Sequence, residues 1–232
     1  MTALAARGLR IDRPGFALGP IDLEIAAGEA LLAFGPSLAG KTALLKALVG
    51  LAPARGTVRI GTVEVSLSDP PPLEPLRVQV GMVFQNDALF DSLTVRENVA
   101  VPLLRRGIAD AGPRVAQALA DVGLTEAADK LPEQLSGGMR KRAGLARALA
   151  VEPSVLLVDE PLAGLDPGTQ KRIASLLGAA RDRGCALLIA VADPSALWDV
   201  CGQAIALEHG QIIARGPSER VRADAAQLLG AA

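Results

Sequence analysis

Apolar positions in the N-terminal part of the chain come in short strand-like runs. Leu9 to Ile11, Ile21 to Ile25 and Ala30 to Phe34 are separated by the turn signals Pro14-Gly15, Gly19-Pro20 and Ala27-Gly28. Residues 42–49 (TALLKALV) predict a helix ended by Gly50, with Pro53 beyond it. Thr57 to Ile60 and Thr62 to Val65 predict a hairpin about Gly61, and Pro70-Pro71-Pro72 with Pro75 predicts a loop leading into an apolar strand, Val78 to Phe84. The period then becomes helical. Thr94 to Arg105, Gly112 to Val122 and Gly138 to Ala150 follow one another with no strand between them, as an inserted helical block would.

Val155 to Val158 is wholly apolar and closes on Asp159, the pattern of a parallel strand buried on both faces. Ile173, Leu176, Leu177 and Ala180 recur at i, i+3, i+4 and i+7 and predict a helix over 168–183. Ala186 to Val191 is a second buried strand, and Gln203 to Leu207 with Gln211 to Arg215 form a hairpin about His209-Gly210. The order describes an α/β core with parallel strands and a helical insert.

Composition narrows the function. At 232 residues and 50% hydrophobic the chain can bury a full core. No apolar run approaches the roughly 18 residues that would cross a bilayer, because Pro36, Lys41, Asp159 and Asp193 interrupt them. No secretory address is visible at the N-terminus, which makes the cytoplasm the expected compartment. The 24 basic and 25 acidic residues give a net charge of −1, without the basic excess of a duplex-binding domain, so no nucleic-acid partner is expected. One histidine, His209, excludes a multi-histidine metal site and reads as a polar residue in a hairpin turn. Cys185 and Cys201 lack metal-type spacing and read as buried thiols.

Three motifs carry chemistry. Gly35-Pro36-Ser37-Leu38-Ala39-Gly40-Lys41-Thr42 fills every fixed position of the phosphate-loop pattern, between a predicted strand and a predicted helix. Glycines let backbone amides converge on a triphosphate, and the helix adds its positive end. Lys41 is expected on the β and γ phosphates, with the Thr42 hydroxyl on Mg²⁺. Leu38 replaces a smaller residue there and is strained if its position demands a positive φ. Asp159 and Glu160 sit at the carboxyl end of a buried strand, where α/β sheets bind ligands; Asp159 is a candidate Mg²⁺ holder and Glu160 a candidate base for the attacking water. Leu135-Ser136-Gly137-Gly138-Met139, 23 residues from Ser136 to Asp159, opens a helix.

In this order the motifs resemble the ATP-binding cassette (ABC) transporter ATPases over nearly the whole chain. The resemblance implies a P-loop NTPase, RecA-like core with an antiparallel β subdomain (1–84 and 151–232) and an inserted α-helical subdomain (85–150). It implies ATP and Mg²⁺ as ligands. Ser136, Gly137 and Gly138 would contact ATP held by a second cassette, expected as a homodimer. Gln85 matches the glutamine that joins the γ-phosphate and Mg²⁺ to the helical block, and Ala163-Gly164-Leu165-Asp166 the segment that communicates between the two sites.

A transmembrane permease is expected against residues near 88–99, which places the chain peripherally on the cytoplasmic face of the inner (plasma) membrane. Residues 85–99 (QNDALFDSLTVRENV) and 135–142 (LSGGMRKR) look most like the MCE-type (Mla) phospholipid-transport ATPases, implying lipid transport and an MCE-type binding partner. An importer ATPase for another substrate is the alternative. Two departures stand out. Where the family places its switch histidine the chain has Ala192, which suggests slow hydrolysis or an ATP-gated assembly role. Phe16 is the one candidate for adenine stacking before the phosphate loop, and it reads equally as a core plug under a turn.

Overall fold

The computed structural model describes residues 1–67, 73–86 and 88–230, with side chains of the last helix described only as far as Asp224. Pro70, Pro71, Pro72 and Asp87 lie outside the described residues.

Two sheets are built. Strands β1 (Thr2–Arg13), β2 (Phe16–Ala26), β4 (Arg55–Ile60) and β5 (Val63–Ser66) form an antiparallel sheet in the order β2-β1-β4-β5. The second sheet contains β3 (Ala30–Phe34), β6 (Val80–Val83), β7 (Val155–Asp159), β8 (Ala186–Val191), β9 (Gln203–Glu208) and β10 (Gln211–Pro217), in the order β10-β9-β3-β8-β7-β6. All its pairings are parallel except that of β9 with β10.

The helices are α1 (Lys41–Leu48), α2 (Glu74–Arg77), α3 (Val95–Arg105), α4 (Gly112–Asp121), α5 (Gly137–Leu149), α6 (Pro167–Asp182) and α7 (Ser218–Gly230). This is the α/β architecture expected, with its antiparallel sheet and its run of helices between β6 and β7. Among the described residues no helix is long and apolar enough to cross a membrane.

The wholly apolar runs are explained by alternation. Val155 and Leu157 of β7 and Leu188 and Ala190 of β8 point into a cluster shared with α1 and the antiparallel sheet. Leu156, Val158, Leu187 and Ile189 point into a second cluster with α6, where Phe34 meets Trp198 edge to face, centroids 5.4 Å apart. A third cluster belongs to the helices: Val95, Val99 and Leu103 pack with Val115, Leu119, Ala143 and Ala146.

Several boundaries differ from expectation. Pro75 is in the first turn of α2 rather than in a loop, a position where its missing N–H costs nothing. The strand expected over 78–84 is only Val80–Val83, because Val78 and Gln79 still close the α2 turn through bonds to Glu74 and Leu76. Helix α7 had no expectation in the sequence; Ser218 and Val221 anchor it in the core.

The loop before α3 is unusually well held. Asn98 is fully buried; its Nδ2 donates to the carbonyls of Phe90 (3.1 Å), Leu93 (2.9 Å) and Thr94 (3.0 Å), and its Oδ1 accepts from the Phe90 amide (2.7 Å). Thr94 caps α3 in a reciprocal box with Glu97. Phe90 itself remains 45% exposed at the loop tip.

Cys185 and Cys201 are buried free thiols in the second cluster, and burial pushes both up to about 12. Roughly one molecule in ten thousand would then be a thiolate at pH 8. The native chain is accordingly expected to resist a water-soluble alkylating agent for hours and to react at both cysteines within minutes in denaturant. Mass spectrometry checks this, and rapid labelling of the native chain would contradict the packing described.

Candidate functional site

Strand β3 ends at Phe34, the chain turns through residues 35–40, and α1 begins at Lys41. Gly35 has φ 154°, and a Cβ there would lie 2.0 Å from the Leu207 carbonyl oxygen, so only glycine lets the loop leave β3 beside β9. Gly40, at φ 106°, starts the helix where a Cβ would press on Leu18. Leu38 does take a positive φ, 67°, with its side chain 93% exposed. A left-handed L-residue costs about 1–2 kcal/mol, and the exposed side chain recovers none of it in packing. Leu38→Gly should therefore stabilise the nucleotide-free chain, by a net of about 1 kcal/mol or slightly less once glycine's freer unfolded state is counted. A melting temperature about 2–4 °C higher is the expected readout; an unchanged or lower one would show that the loop is relaxed with leucine.

Lys41 is 5% exposed and folded back over its own loop. Its Nζ donates to the carbonyls of Gly35 (2.7 Å) and Pro36 (2.9 Å) and lies 3.7 Å from Glu160 Oε1. Burial pushes its ammonium below the ordinary value, while Glu160 and Asp159 pull it back up. Thr42 Oγ1 donates to Asp159 Oδ1 at 3.1 Å, which ties α1 to the end of β7. Burial raises the Asp159 carboxyl, opposed by that hydrogen bond and reinforced by neighbouring Glu160. Glu160 follows in left-handed backbone, φ 48°, with its amide bonded to the Ala190 carbonyl at 2.8 Å. The fold thus brings Lys41, Thr42, Asp159 and Glu160 together from two elements more than 110 residues apart (|i−j| = 117 for Thr42 and Asp159).

Lys41, Thr42 and Glu160 open onto a cavity of about 880 Å³, with Ser37 to Thr42, Gln85, Glu160 and Phe16 in its wall; Asp159, 2% exposed, does not line it and meets the site through the Thr42 hydroxyl. Phe16 is half-buried, packs against the main core, and carries the Arg13 guanidinium 4.8 Å from its ring centroid. It is a cavity-wall residue and a core residue at once. Gly35 and Pro36 close the loop from beneath and do not line the cavity.

Ser136, Gly137 and Gly138 are not brought to this cavity. They form the head of α5, where Ser136 Oγ accepts from the Met139 amide at 3.3 Å, and Ser136 and Gly137 are exposed. Gly138 approaches Leu165 and Thr169, just beyond the cap that Asp166 makes on α6 through the Thr169 amide (3.0 Å). Ala192 is exposed after β8 and is likewise absent from the cavity wall.

Sequence reasoning missed Arg13, Lys46 and His209 as cavity residues. His209 does occupy the hairpin turn, but that turn folds over the phosphate loop, with the Gly210 amide bonded to the Ala39 carbonyl at 3.0 Å. No local pattern signals such a contact. Lys141 was also missed. It sits on α5 with Nζ 3.2 Å from the carbonyls of both Gln85 and Glu160.

The family profile described as ABC transporter matches residues 18–163. The methionine import ATP-binding protein MetN of Xanthomonas euvesicatoria pv. vesicatoria (strain 85-10) is 40% identical over 209 residues, 88% of this chain and 62% of that protein. MetN of Brucella abortus (strain 2308) is 38% identical over 212 residues, 90% of this chain and 58% of that protein. The chain thus spans less than two thirds of these relatives. A dimeric post-hydrolysis state of an ATP-binding cassette bound to ADP and Pi superposes with a TM-score of 0.83 at 28% identity, covering 93% of this chain and 98% of that one. An ATP-binding subunit of an ABC transporter superposes at 0.84 with 22% identity, covering 98% of this chain and 95% of that one, a likeness of fold.

Proposed function

The chain belongs to the ABC transporter family, and from that premise we propose that it is the ATP-binding and ATP-hydrolysing subunit of a membrane transporter. The observation that carries the reading is the convergence of Lys41, Thr42 and Glu160 on one cavity, with Asp159 bonded to the Thr42 hydroxyl. Backbone amides of residues 37–42 and the Lys41 ammonium hold the phosphates, and Phe16 is placed to meet the base. Thr42 Oγ1, an Asp159 carboxylate oxygen and the Gln85 amide oxygen would supply the hard oxygen ligands that suit Mg²⁺, and the first two already meet at 3.1 Å. Bound there, Mg²⁺ would neutralise charge on the β and γ phosphates. Glu160 takes the proton of the attacking water as its oxygen bonds to the γ phosphorus and the bond to the β–γ bridging oxygen breaks.

Exposure of Ser136 and Gly137 away from their own cavity supports the reading that they serve ATP on a second cassette, in a homodimer. The separate apolar cluster of α3, α4 and α5 supports residues 85–150 as a helical subdomain, and its exposed Phe90 loop supports 88–99 as the permease contact at the cytoplasmic membrane face. The relatives named above are methionine importers, and they favour an importer ATPase for a small substrate. The phospholipid reading and its MCE-type partner rest on residues 85–99 and 135–142 alone and find no support among those relatives. Identification of the proteins that copurify from solubilised membranes tests this: a permease with a methionine-type binding protein supports the importer, and an MCE-type protein reverses the order.

Ala192 motivates the second reading, ATP-gated assembly with weak hydrolysis. Phosphate release by the assembled complex separates the two. Under the main reading Ala192→His leaves turnover within about threefold, because the present site already supports hydrolysis; a gain of an order of magnitude would favour the gated module.

A further inference from the structure

Lys141 makes contacts that the nucleotide-binding reading does not use. Its half-buried side chain rises from α5 and ends between two loops that no strand pairing joins directly at this point, the one leaving β6 and the one leaving β7. The ammonium lies 3.2 Å from the Gln85 carbonyl and 3.2 Å from the Glu160 carbonyl. The Glu160 backbone is therefore held at both of its polar groups, its N–H by the Ala190 carbonyl of β8 and its C=O by Lys141 of α5. Further along the same helix Arg147 Nη1 donates to the carbonyl of Ala88, another residue in left-handed backbone, φ 49°. One helix thus carries Ser136 and Gly137 at its head and, from its flank, cations that hold the backbone at Gln85, Ala88 and Glu160.

We propose that Lys141 is a positioning residue that fixes the Glu160 carboxylate to the helix headed by Ser136, so that engagement of that helix by nucleotide on the other subunit sets the geometry of hydrolysis in its own. This rests on the reading of Glu160 as the base for water. A surface lysine kept only for solubility would be solvated, whereas this one is half-buried and points at two carbonyl oxygens. A charged donor is suited to the task. The carbonyls of residues 85 and 160 follow different strands, and one ammonium with three donors serves both. Small displacements of a catalytic group cost rate more than affinity, so the effect belongs in kcat.

The experiment compares Lys141→Met and Lys141→Arg with Glu160→Gln in the assembled transporter. Lys141→Met should lower kcat about tenfold or more with KM for ATP within about twofold, and Lys141→Arg should recover most of it. Melting temperatures should stay within about 2 °C of the parent. In the isolated full chain, amide exchange over residues 158–163 should quicken in Lys141→Met and return in Lys141→Arg. Unchanged kcat in Lys141→Met while Glu160→Gln is inactive overturns the proposal and leaves the reading of Glu160 as base standing. Turnover retained in Glu160→Gln sinks instead the reading of Glu160 as base, and the exchange measurement then decides whether Lys141 holds this backbone at all: no change overturns it. Loss of turnover in step with a lowered melting temperature would make Lys141 a residue of the fold only, and also overturns it.

Discussion

Glu160→Gln is expected to reduce ATP turnover by about a hundredfold or more while Mg·ATP still binds. The amide is isosteric and can keep a place beside Lys41, 3.7 Å away, so the loop that holds the phosphates is undisturbed. What disappears is proton affinity. A carboxamide cannot take the proton of the attacking water, and general base catalysis is worth about 10²–10⁴ in rate. The measurement is single-turnover phosphate release beside equilibrium binding of a fluorescent ATP analogue. Turnover above a tenth of the parent rate would remove Glu160 from the role of base.

Lys41→Ala should act one step earlier, on binding. The ammonium is the one cation held inside the loop, and it already hydrogen-bonds the carbonyls of Gly35 and Pro36. A triphosphate draws it away from these oxygens and replaces them with charged ones. Charge-assisted hydrogen bonds contribute about 1.5–3 kcal/mol each, so the loss of two corresponds to at least a hundredfold in Kd at about 1.4 kcal/mol per decade. Alanine also leaves Glu160 without the ammonium 3.7 Å away, which compounds the loss. Calorimetry with Mg·ATP checks it. An affinity within tenfold of the parent would mean that the backbone amides hold the phosphates unaided.

Much of this site could be read from the sequence because phosphate binding constrains residue types in one short stretch. Gly35, Gly40, Lys41 and Thr42 are adjacent, and Asp159 and Glu160 end a strand whose apolar run is unmistakable. Helix starts were legible for a similar reason: Thr94, Ser136 and Asp166 cap with their own side chains, and the structure places α3, α5 and α6 immediately after them. Contacts set by tertiary approach were not legible. Arg13 and His209 reach the cavity because two turns from distant strands converge on residues 39 and 40, and Lys141 reaches Glu160 across a helix–strand packing interface. Pro75 misled in the opposite direction, since proline that interrupts a helix and proline that begins one look alike in a string of letters. The full length of β1 was obscured by irregular register near Gly8, where its pairing with β2 shifts.

The bracket that Asn98 forms around residues 90–94 bears on recognition. A tip tied by four hydrogen bonds to a buried amide has little wandering left to give up when something settles on Phe90. Docking against such a tip is a lock meeting a finished key, and its selectivity comes from shape that exists before the encounter.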